Sequence, residues 1–316
     1  MSVCLDNLKN PLDKFSTFVE LLRYRTQIQP EQKAYTFLVD GETEEISLTY
    51  SELDQKARAI AVVLHNLKAN GKRAILLYPP GLEFITAFFG CLYAGVVAVP
   101  VPLVQRKERM TRLQAIMADA DATFVLTTTS VFTNNIERSL KEESELSALY
   151  CIAIDNINYD LASDWQAPKV SSDTLAFIQY TSGSTATPKG VMVSHKNLLY
   201  NQLLIQKAFQ HTQETIFFGW LPLYHDMGLI GNVLQPLYLG VPCILMSPIA
   251  FLQRPLRWLQ AISYYKATTS GGPNFAYDLC VSKIAPSERS TLDLSRWEVA
   301  FNGADSVRVE TMNLSH

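Results

Sequence analysis

The sequence is poor in the residues that build disulfide scaffolds and metal sites. Its 316 residues include only five cysteines, which are far apart and form no CxxC pair. This usage excludes a disulfide-rich secreted fold and favours a reducing compartment. The five histidines form no HExxH motif or other close pair, so we expect no transition-metal site.

Long basic runs and signals for export or membrane insertion are missing too. A formal net charge of -3 and a pI near 6.0 give no general attraction to nucleic acid or anionic membranes. The amino terminus, MSVCLDNLKNPLDKFSTF, is charged throughout and lacks the apolar core of a signal peptide. Two uncharged segments, 87–104 and the one between Asp226 and Arg254, are long enough to span a bilayer, but glycine and proline interrupt both. We therefore expect a cytoplasmic protein with no nucleic-acid partner and no stable membrane insertion.

The hydrophobic residues that are present alternate between strand and helix patterns. They make up 48% of the chain, enough for a sizeable core in one large domain or two ordinary ones. A helix pattern follows Ser51, which we expect to cap it. Short apolar strands are predicted at 74–78, 96–99, 123–128 and 150–154. Such alternation is typical of a mostly parallel sheet covered by helices.

A polar stretch at 156–173 predicts a connection between two lobes, 1–172 and 173–316. In the second lobe, a helix pattern covers about 194–209. Further strands are predicted within TLAFIQY, GVMV, TIFFGW, VPCILM and WEVAFNG. The predicted fold is therefore α/β, with two stacked lobes built on mostly parallel sheets.

The segment YTSGSTATPKG, residues 180–190, follows the predicted strand 175–180. Small and hydroxyl-bearing residues permit turns that expose backbone N–H groups, and Lys189 adds a positive charge, so the segment could wrap a polyphosphate. Its spacing differs from a Walker loop because glycine follows Lys189. Ser182 and Ser184 lack the flanking glycines of a GxSxG elbow, which makes a serine hydrolase a weak alternative. A polar surface loop is the other alternative.

YTSGSTATPKG resembles the phosphate-loop signature of the adenylate-forming superfamily, which activates carboxylates with ATP. GWLPLYHDMGLIG at 219–231, SGGPNFAYDLC at 270–280 and the segment 76–102 are similar to one branch, the fatty acyl-AMP ligases. The resemblance implies that ATP and a long- or medium-chain fatty acid give an acyl-adenylate and pyrophosphate, with Mg²⁺ bound to the phosphates. The acyl group would pass to an acyl carrier protein or to a carrier domain of a polyketide or peptide synthase.

The resemblance also assigns roles to matching residues. Lys189 and His225 would be catalytic, and Asp226 would hold the nucleotide. The β- and γ-phosphates would lie in a loop of Thr181, Ser182, Gly183, Ser184, Thr185 and Lys189, with Thr185 as the one candidate contact for Mg²⁺. Adenine would meet Gly271, Gly272, Pro273, Asn302, Gly303, Ala304 and Asp305. An acyl tunnel would begin at Trp220, Tyr224, Met227, Ile230 and Phe275. From the residues alone, a structural role is favoured for His225 and for each tunnel residue.

Two departures from the family pattern bear on activity. Asp305 stands where the family usually has glutamate, and its side chain is one methylene shorter. The family's small carboxy-terminal domain, with a catalytic lysine, is absent from this sequence, so we expect weak or no activity from this chain alone. The alternatives are a catalytically inactive nucleotide- or lipid-binding fragment of such a ligase and a fragment of an acyl-CoA ligase.

Overall fold

The computed structural model describes residues 14–103, 107–133, 150–181 and 188–314. The strands are β1 Lys33–Leu38, β2 Glu45–Thr49, β3 Arg73–Leu77, β4 Val97–Val101, β5 Ala122–Thr127, β6 Tyr150–Ala153, β7 Leu175–Tyr180, β8 Gly190–Ser194, β9 Phe217–Gly219, β10 Cys243–Met246, β11 Thr269–Gly272 and β12 Val299–Asn302. The α-helices are α1 Phe18–Ile28, α2 Tyr50–Asn66, α3 Leu82–Ala94, α4 Lys107–Asp119, α5 Thr129–Val131, α6 His195–Phe209, α7 Gln235–Leu239, α8 Pro248–Gln253, α9 Leu256–Tyr265, α10 Asn274–Lys283, α11 Pro286–Arg289 and α12 Val309–Leu314. Two 3₁₀ helices, Ile154–Asn156 and Tyr159–Asp164, and a π-helix, Met227–Leu234, also lie in the described residues.

The strands form two six-stranded sheets. Sheet A has the order β12-β11-β9-β10-β1-β2, and sheet B has the order β6-β5-β3-β4-β7-β8. All neighbours are parallel except the hairpins β1–β2 and β7–β8, which place one antiparallel strand at an edge of each sheet. The expected α/β class with mostly parallel sheets is confirmed, and helices connect the parallel strands as such sheets require.

The two sheets exchange hairpins. Strands β1 and β2 come early in the chain but complete sheet A, where Tyr35 pairs with Cys243. Strands β7 and β8 come after residue 173 but complete sheet B, where Phe177 pairs with Ala98. The predicted lobes 1–172 and 173–316 therefore each contribute a hairpin to the other's sheet.

The helix predicted after Ser51 begins one residue earlier, and a different side chain caps it. The hydroxyl of Thr49 accepts the N–H of Glu52 at 3.1 Å, and the Glu52 carboxylate accepts the N–H of Thr49 at 2.8 Å. This is a reciprocal capping box, in which two backbone donors that the helix leaves open are satisfied. The expectation that Ser51 is the cap was wrong, because Ser51 already lies inside α2.

Both segments that imitate membrane spans fold into short, separate elements. Segment 87–104 contains the end of α3 and all of β4, separated by Gly95, whose φ of +66° reverses the chain. The segment after Asp226 divides into the π-helix, α7, β10 and α8. Across the described ranges, no helix has both the length and the apolar character that a bilayer crossing demands.

Buried polar side chains from β1 and α1 hold the π-helix and the helix α7 that follows it. The Tyr35 hydroxyl donates to the Val233 carbonyl at 2.7 Å. The Arg25 guanidinium donates to the carbonyls of Leu237 and Tyr238 at 3.2 and 2.5 Å. The two Arg25 bonds reach carbonyls at the end of α7, of which that of Leu237 also accepts the N–H of Gly240. Side chains of α1 and β1 thereby hold the segment 227–239 in place.

Candidate active site

Three neighbouring parallel strands end at the same edge of sheet A. Strands β9, β11 and β12 lie side by side and end at Gly219, Gly272 and Asn302. The predicted segments that begin at Trp220, Pro273 and Gly303 therefore leave the sheet together. In open α/β sheets, ligands bind outside the carboxyl ends of the strands. The topology thus brings the sequence-predicted residues of these three segments to one place.

His225 and Asp226 form an accessible ion pair after β9. The Nδ1 atom of His225 lies 2.6 Å from Oδ1 of Asp226, and the two side chains are 48% and 55% exposed. The hydrogen bond to Asp226 raises the pKa of His225 above its ordinary value, and the same bond lowers the pKa of Asp226. The pairing therefore favours the protonated imidazolium, which is the form that attracts an anionic ligand.

The turn that carries His225 is set by its backbone. The His225 N–H donates to the Pro222 carbonyl at 3.1 Å, and the His225 carbonyl accepts the N–H of Leu229 at 2.8 Å. Gly228 packs directly on this turn, since a Cβ there would lie 2.1 Å from the Pro222 oxygen. Asp226 caps the π-helix, because its Oδ1 accepts the Met227 N–H at 2.7 Å. The pair is thus fixed at the start of a helix.

The ends of the predicted phosphate loop are closed against each other. The Thr181 N–H donates to the Lys189 carbonyl at 3.2 Å, which extends the β7–β8 ladder by one bond. A guanidinium nitrogen of Arg112, on α4, donates to the Thr181 carbonyl at 2.8 Å. The Lys189 side chain is exposed. The predictions for Ser182, Gly183, Ser184 and Thr185 lie outside the described residues.

A glutamine that sequence reasoning missed lies between the two functional segments. Gln179, on β7, is 9% exposed, and its Nε2 donates to the Tyr224 carbonyl at 3.2 Å. Tyr224 comes directly before His225, and Gln179 comes two residues before Thr181. The hydrogen bond therefore joins the turn on sheet A to the phosphate segment on sheet B. A strand glutamine outside any motif gives no sequence signal for such a role.

The predicted adenine segment is packed against protein side chains. A Cβ on Gly271 would lie 2.1 Å from the Phe301 carbonyl oxygen, and one on Gly272 would lie 2.6 Å from Cζ2 of Trp220. Glycine is therefore required at both positions for packing. A contact of Gly271, Gly272 or Pro273 with adenine stays a prediction.

The second predicted adenine segment is held by Asn274, which sequence analysis did not single out. Asn274 is 2% exposed, and its Oδ1 accepts from Nδ2 of Asn302 at 3.0 Å and from the N–H of Arg308 at 3.1 Å. Its Nδ2 donates to the Ser306 carbonyl at 2.9 Å. Between these bonds, Ala304 has a φ of +74° and Asp305 is exposed. Gly303 lies against Met227, since its Cβ would be 3.7 Å from Cε of that residue.

The five predicted tunnel residues differ in their surroundings. Trp220 is only 3% exposed and stacks on Phe251 with ring centroids 4.1 Å apart, so it belongs to the core of sheet A. Phe275 is 47% exposed and meets the edge of Trp220 at 6.1 Å. The remaining three, Tyr224, Met227 and Ile230, are half-buried. The exposed and half-buried residues of this set are better placed than Trp220 to contact an acyl chain.

Protein side chains offer no metal cage in the part of the chain that the structure describes. No group of three or more histidine, cysteine, aspartate or glutamate side chains is close enough to hold an ion there. Thr185, the only Mg²⁺ contact that sequence analysis named, lies outside the described residues. The residues present fit ATP better, since Lys189 and His225 supply accessible positive charge and hydrogen-bond donors.

Comparison with known proteins supports the same chemistry. A family model described as an AMP-binding enzyme matches residues 22–314. The chain is 50% identical over 302 residues to the medium-chain-fatty-acid–[acyl-carrier-protein] ligase JamA of Moorena producens, covering 95% of this chain and 51% of that protein. It is 35% identical over 301 residues to the long-chain-fatty-acid–AMP ligase FadD23 of Mycobacterium tuberculosis, covering 92% of this chain and 51% of that protein.

Solved structures agree with these relatives. The fatty acid AMP ligase from Legionella pneumophila superposes with a TM-score of 0.90 at 44% identity, over 98% of this chain and 53% of that one. A Legionella pneumophila fatty acyl-adenylate ligase in complex with acyl adenylate and pyrophosphate superposes with a TM-score of 0.89, at the same identity and coverage. The chain spans about half the length of the curated relatives it matches.

Proposed function

We propose that this protein, whose chain belongs to the AMP-binding enzymes and to their fatty acyl-AMP ligase branch, activates a fatty acid with ATP. The products are an acyl-adenylate and pyrophosphate, and the acyl group then passes to a carrier protein. Similarity to two medium-chain acyl-carrier-protein ligases favours a medium-chain acid. The proposal concerns the whole protein, because the chain matches about half of each relative. A reaction that consumes ATP favours a cytoplasmic site.

The chemistry requires that the carboxylate and the α-phosphate are positioned and that the charge on the leaving pyrophosphate is neutralised. A carboxylate oxygen forms a bond to the α-phosphorus while the bond between that phosphorus and the pyrophosphate oxygen breaks. Lys189 would neutralise the departing pyrophosphate as a compact charge. The His225 imidazolium, held by Asp226, would draw the carboxylate and the α-phosphate together. Mg²⁺, when bound with ATP, would supply further charge to the phosphate oxygens.

The accessible His225–Asp226 pair at the carboxyl ends of the strands is the observation that carries this proposal. An exposed ion pair between neighbours in the chain contributes little to folding. A nucleotide and a carboxylate would meet at this end of the strands.

The test is pyrophosphate release that depends on both ATP and fatty acid. We expect Lys189→Ala and His225→Ala each to lower turnover about 100-fold or more, since each removes a charged donor to the transition state. The matched control is Lys196→Ala, which removes another exposed lysine at the start of α6. Full activity in Lys189→Ala or His225→Ala would remove that residue from the mechanism, and a melted His225→Ala protein would assign His225 a structural role.

The inactive-fragment alternative makes a different prediction. A fragment that only binds would take up ATP or fatty acid, measured by calorimetric titration, without releasing pyrophosphate. Transfer of the acyl group to coenzyme A in place of a carrier protein would support the acyl-CoA ligase alternative.

A further inference from the structure

Gln179 is built into sheet B as a donor that crosses to the His225 turn. Strand β7 lies between β4 and β8, so its backbone is paired on both sides. The Nε2 atom donates to the Tyr224 carbonyl at 3.2 Å and lies 3.5 Å from the Tyr180 carbonyl. The Gln179 amide therefore faces two carbonyls, that of Tyr180 at the start of the phosphate segment and that of Tyr224 directly before His225.

We propose that Gln179 is a positioning residue that sets the distance between the phosphate-binding segment and His225. The Tyr224 carbonyl belongs to the peptide bond that leads into His225, so rotating that peptide plane displaces the imidazole. Thr181 and Lys189 are attached to the same strand pair as Gln179. This inference rests on the proposed function, in which the carboxylate, the α-phosphate and the leaving pyrophosphate must lie in line.

Stability alone does not account for a glutamine at this position. Gln179 is buried, yet no described group donates a hydrogen bond to its Oε1. A buried acceptor without a partner costs about 1–3 kcal/mol. Methionine has a similar length and no such cost, but it cannot donate to the Tyr224 carbonyl. The donor is thus the property that distinguishes glutamine here from an apolar residue of the same size.

The first test compares Gln179→Met and Gln179→Glu with the wild-type protein by pyrophosphate release. We expect Gln179→Met to lower kcat about 10- to 100-fold, as for an ångström of misplacement, with the KM for ATP changed less than about threefold. Glutamate donates a hydrogen bond only when protonated, and burial raises its pKa. The activity of Gln179→Glu relative to wild type should therefore rise as the pH falls from about 8 to about 6, whereas the Gln179→Met ratio stays constant.

The control is Gln202→Met, which replaces a fully buried glutamine on α6 whose amide atoms have no described partner. A kcat for Gln179→Met within about twofold of this control, or a Gln179→Glu ratio that does not change with pH, would overturn the proposal.

A full-length wild-type protein that releases no pyrophosphate would refute the proposed function, and hydrogen exchange then decides the role of Gln179. Amides of residues 220–229 should exchange faster in Gln179→Met than in Gln202→Met, because the turn loses its link to β7. Equal exchange in the two variants would show that Gln179 does not hold the turn.

Discussion

Replacing Gly228 with alanine tests whether the turn before the π-helix holds His225 in place. A Cβ on Gly228 would lie 2.1 Å from the carbonyl oxygen of Pro222 and 2.7 Å from its carbonyl carbon. Both are backbone atoms, so the turn itself must move. That oxygen also accepts the His225 N–H at 3.1 Å, and its displacement breaks this hydrogen bond. The substitution therefore perturbs stability and the position of the imidazole together.

The expected size follows from these contacts. Overpacking a buried site costs about 1–3 kcal/mol, and losing one hydrogen bond adds about 1 kcal/mol. An unfolding entropy of about 2.1 cal/mol/K per residue, taken over 316 residues, makes each kcal/mol worth about 1.5 °C in Tm. We expect Gly228→Ala to lower Tm by about 3–6 °C. Turnover should fall at least about tenfold, since His225 leaves its place.

Gly231→Ala is the matched control, because Gly231 lies in the same π-helix and nothing lies within 4 Å of a Cβ there. Alanine is favoured over glycine in a helix by about 0.5–1 kcal/mol, so its Tm should be unchanged or slightly higher. Calorimetric melting and pyrophosphate release measure both effects. Equal Tm values for the two variants, or full activity in Gly228→Ala, would refute the reasoning.

Three further predictions follow from the electrostatics of the site and the core. Asp226→Asn removes the partner that raises the pKa of His225, so the imidazole pKa measured by NMR should fall; an unchanged value would contradict the pairing. In the wild type, the small stability that this pair contributes is lost as pH rises through the raised pKa of His225. It is also lost as pH falls through the lowered pKa of Asp226. Burial lowers the pKa of His195 to about 4. The Tm should therefore fall as pH drops from 6.5 toward 4, because the unfolded chain binds a proton that the folded chain does not. His195→Gln should weaken this dependence of Tm on pH, and an identical pH profile in the variant would contradict the prediction. Arg112→Ala removes the hydrogen bond to the Thr181 carbonyl and should raise the Kd for ATP, measured by calorimetric titration, about two- to tenfold. The control Arg289→Ala, on an exposed helix, should leave the Kd unchanged. Equal Kd values for the two variants would exclude Arg112 from the site.

Most of the parallel strands were predictable because they are short apolar runs between glycine, proline or polar residues. The predicted strand 74–78 and the observed β3 Arg73–Leu77 differ by one residue at each end. The hairpin β1–β2 was missed, because its partner β10 lies far along the chain and its edge strand β2 is largely exposed. Local patterns carry no information about such a distant pairing.

The same limit applied to the site. His225 and Asp226 were identified from a motif, and the structure adds their contact and accessibility. Gln179, Asn274 and Arg112 were missed because each acts through a hydrogen bond to a carbonyl or amide distant in sequence. Trp220 stacks on Phe251 and is buried, and its contact with an acyl chain stays a prediction.

The exchange of hairpins between the sheets imposes an order on synthesis and folding. During translation, β1 emerges long before its parallel partner, since Tyr35 must wait for Cys243. Strand β4 likewise waits for β7 before its second side is paired. Contacts between residues so distant in sequence form slowly, because the intervening chain must first be ordered. The nascent chain therefore exposes an unpaired apolar edge at β1 until most of the sequence has left the ribosome, and it should depend on chaperones at that stage.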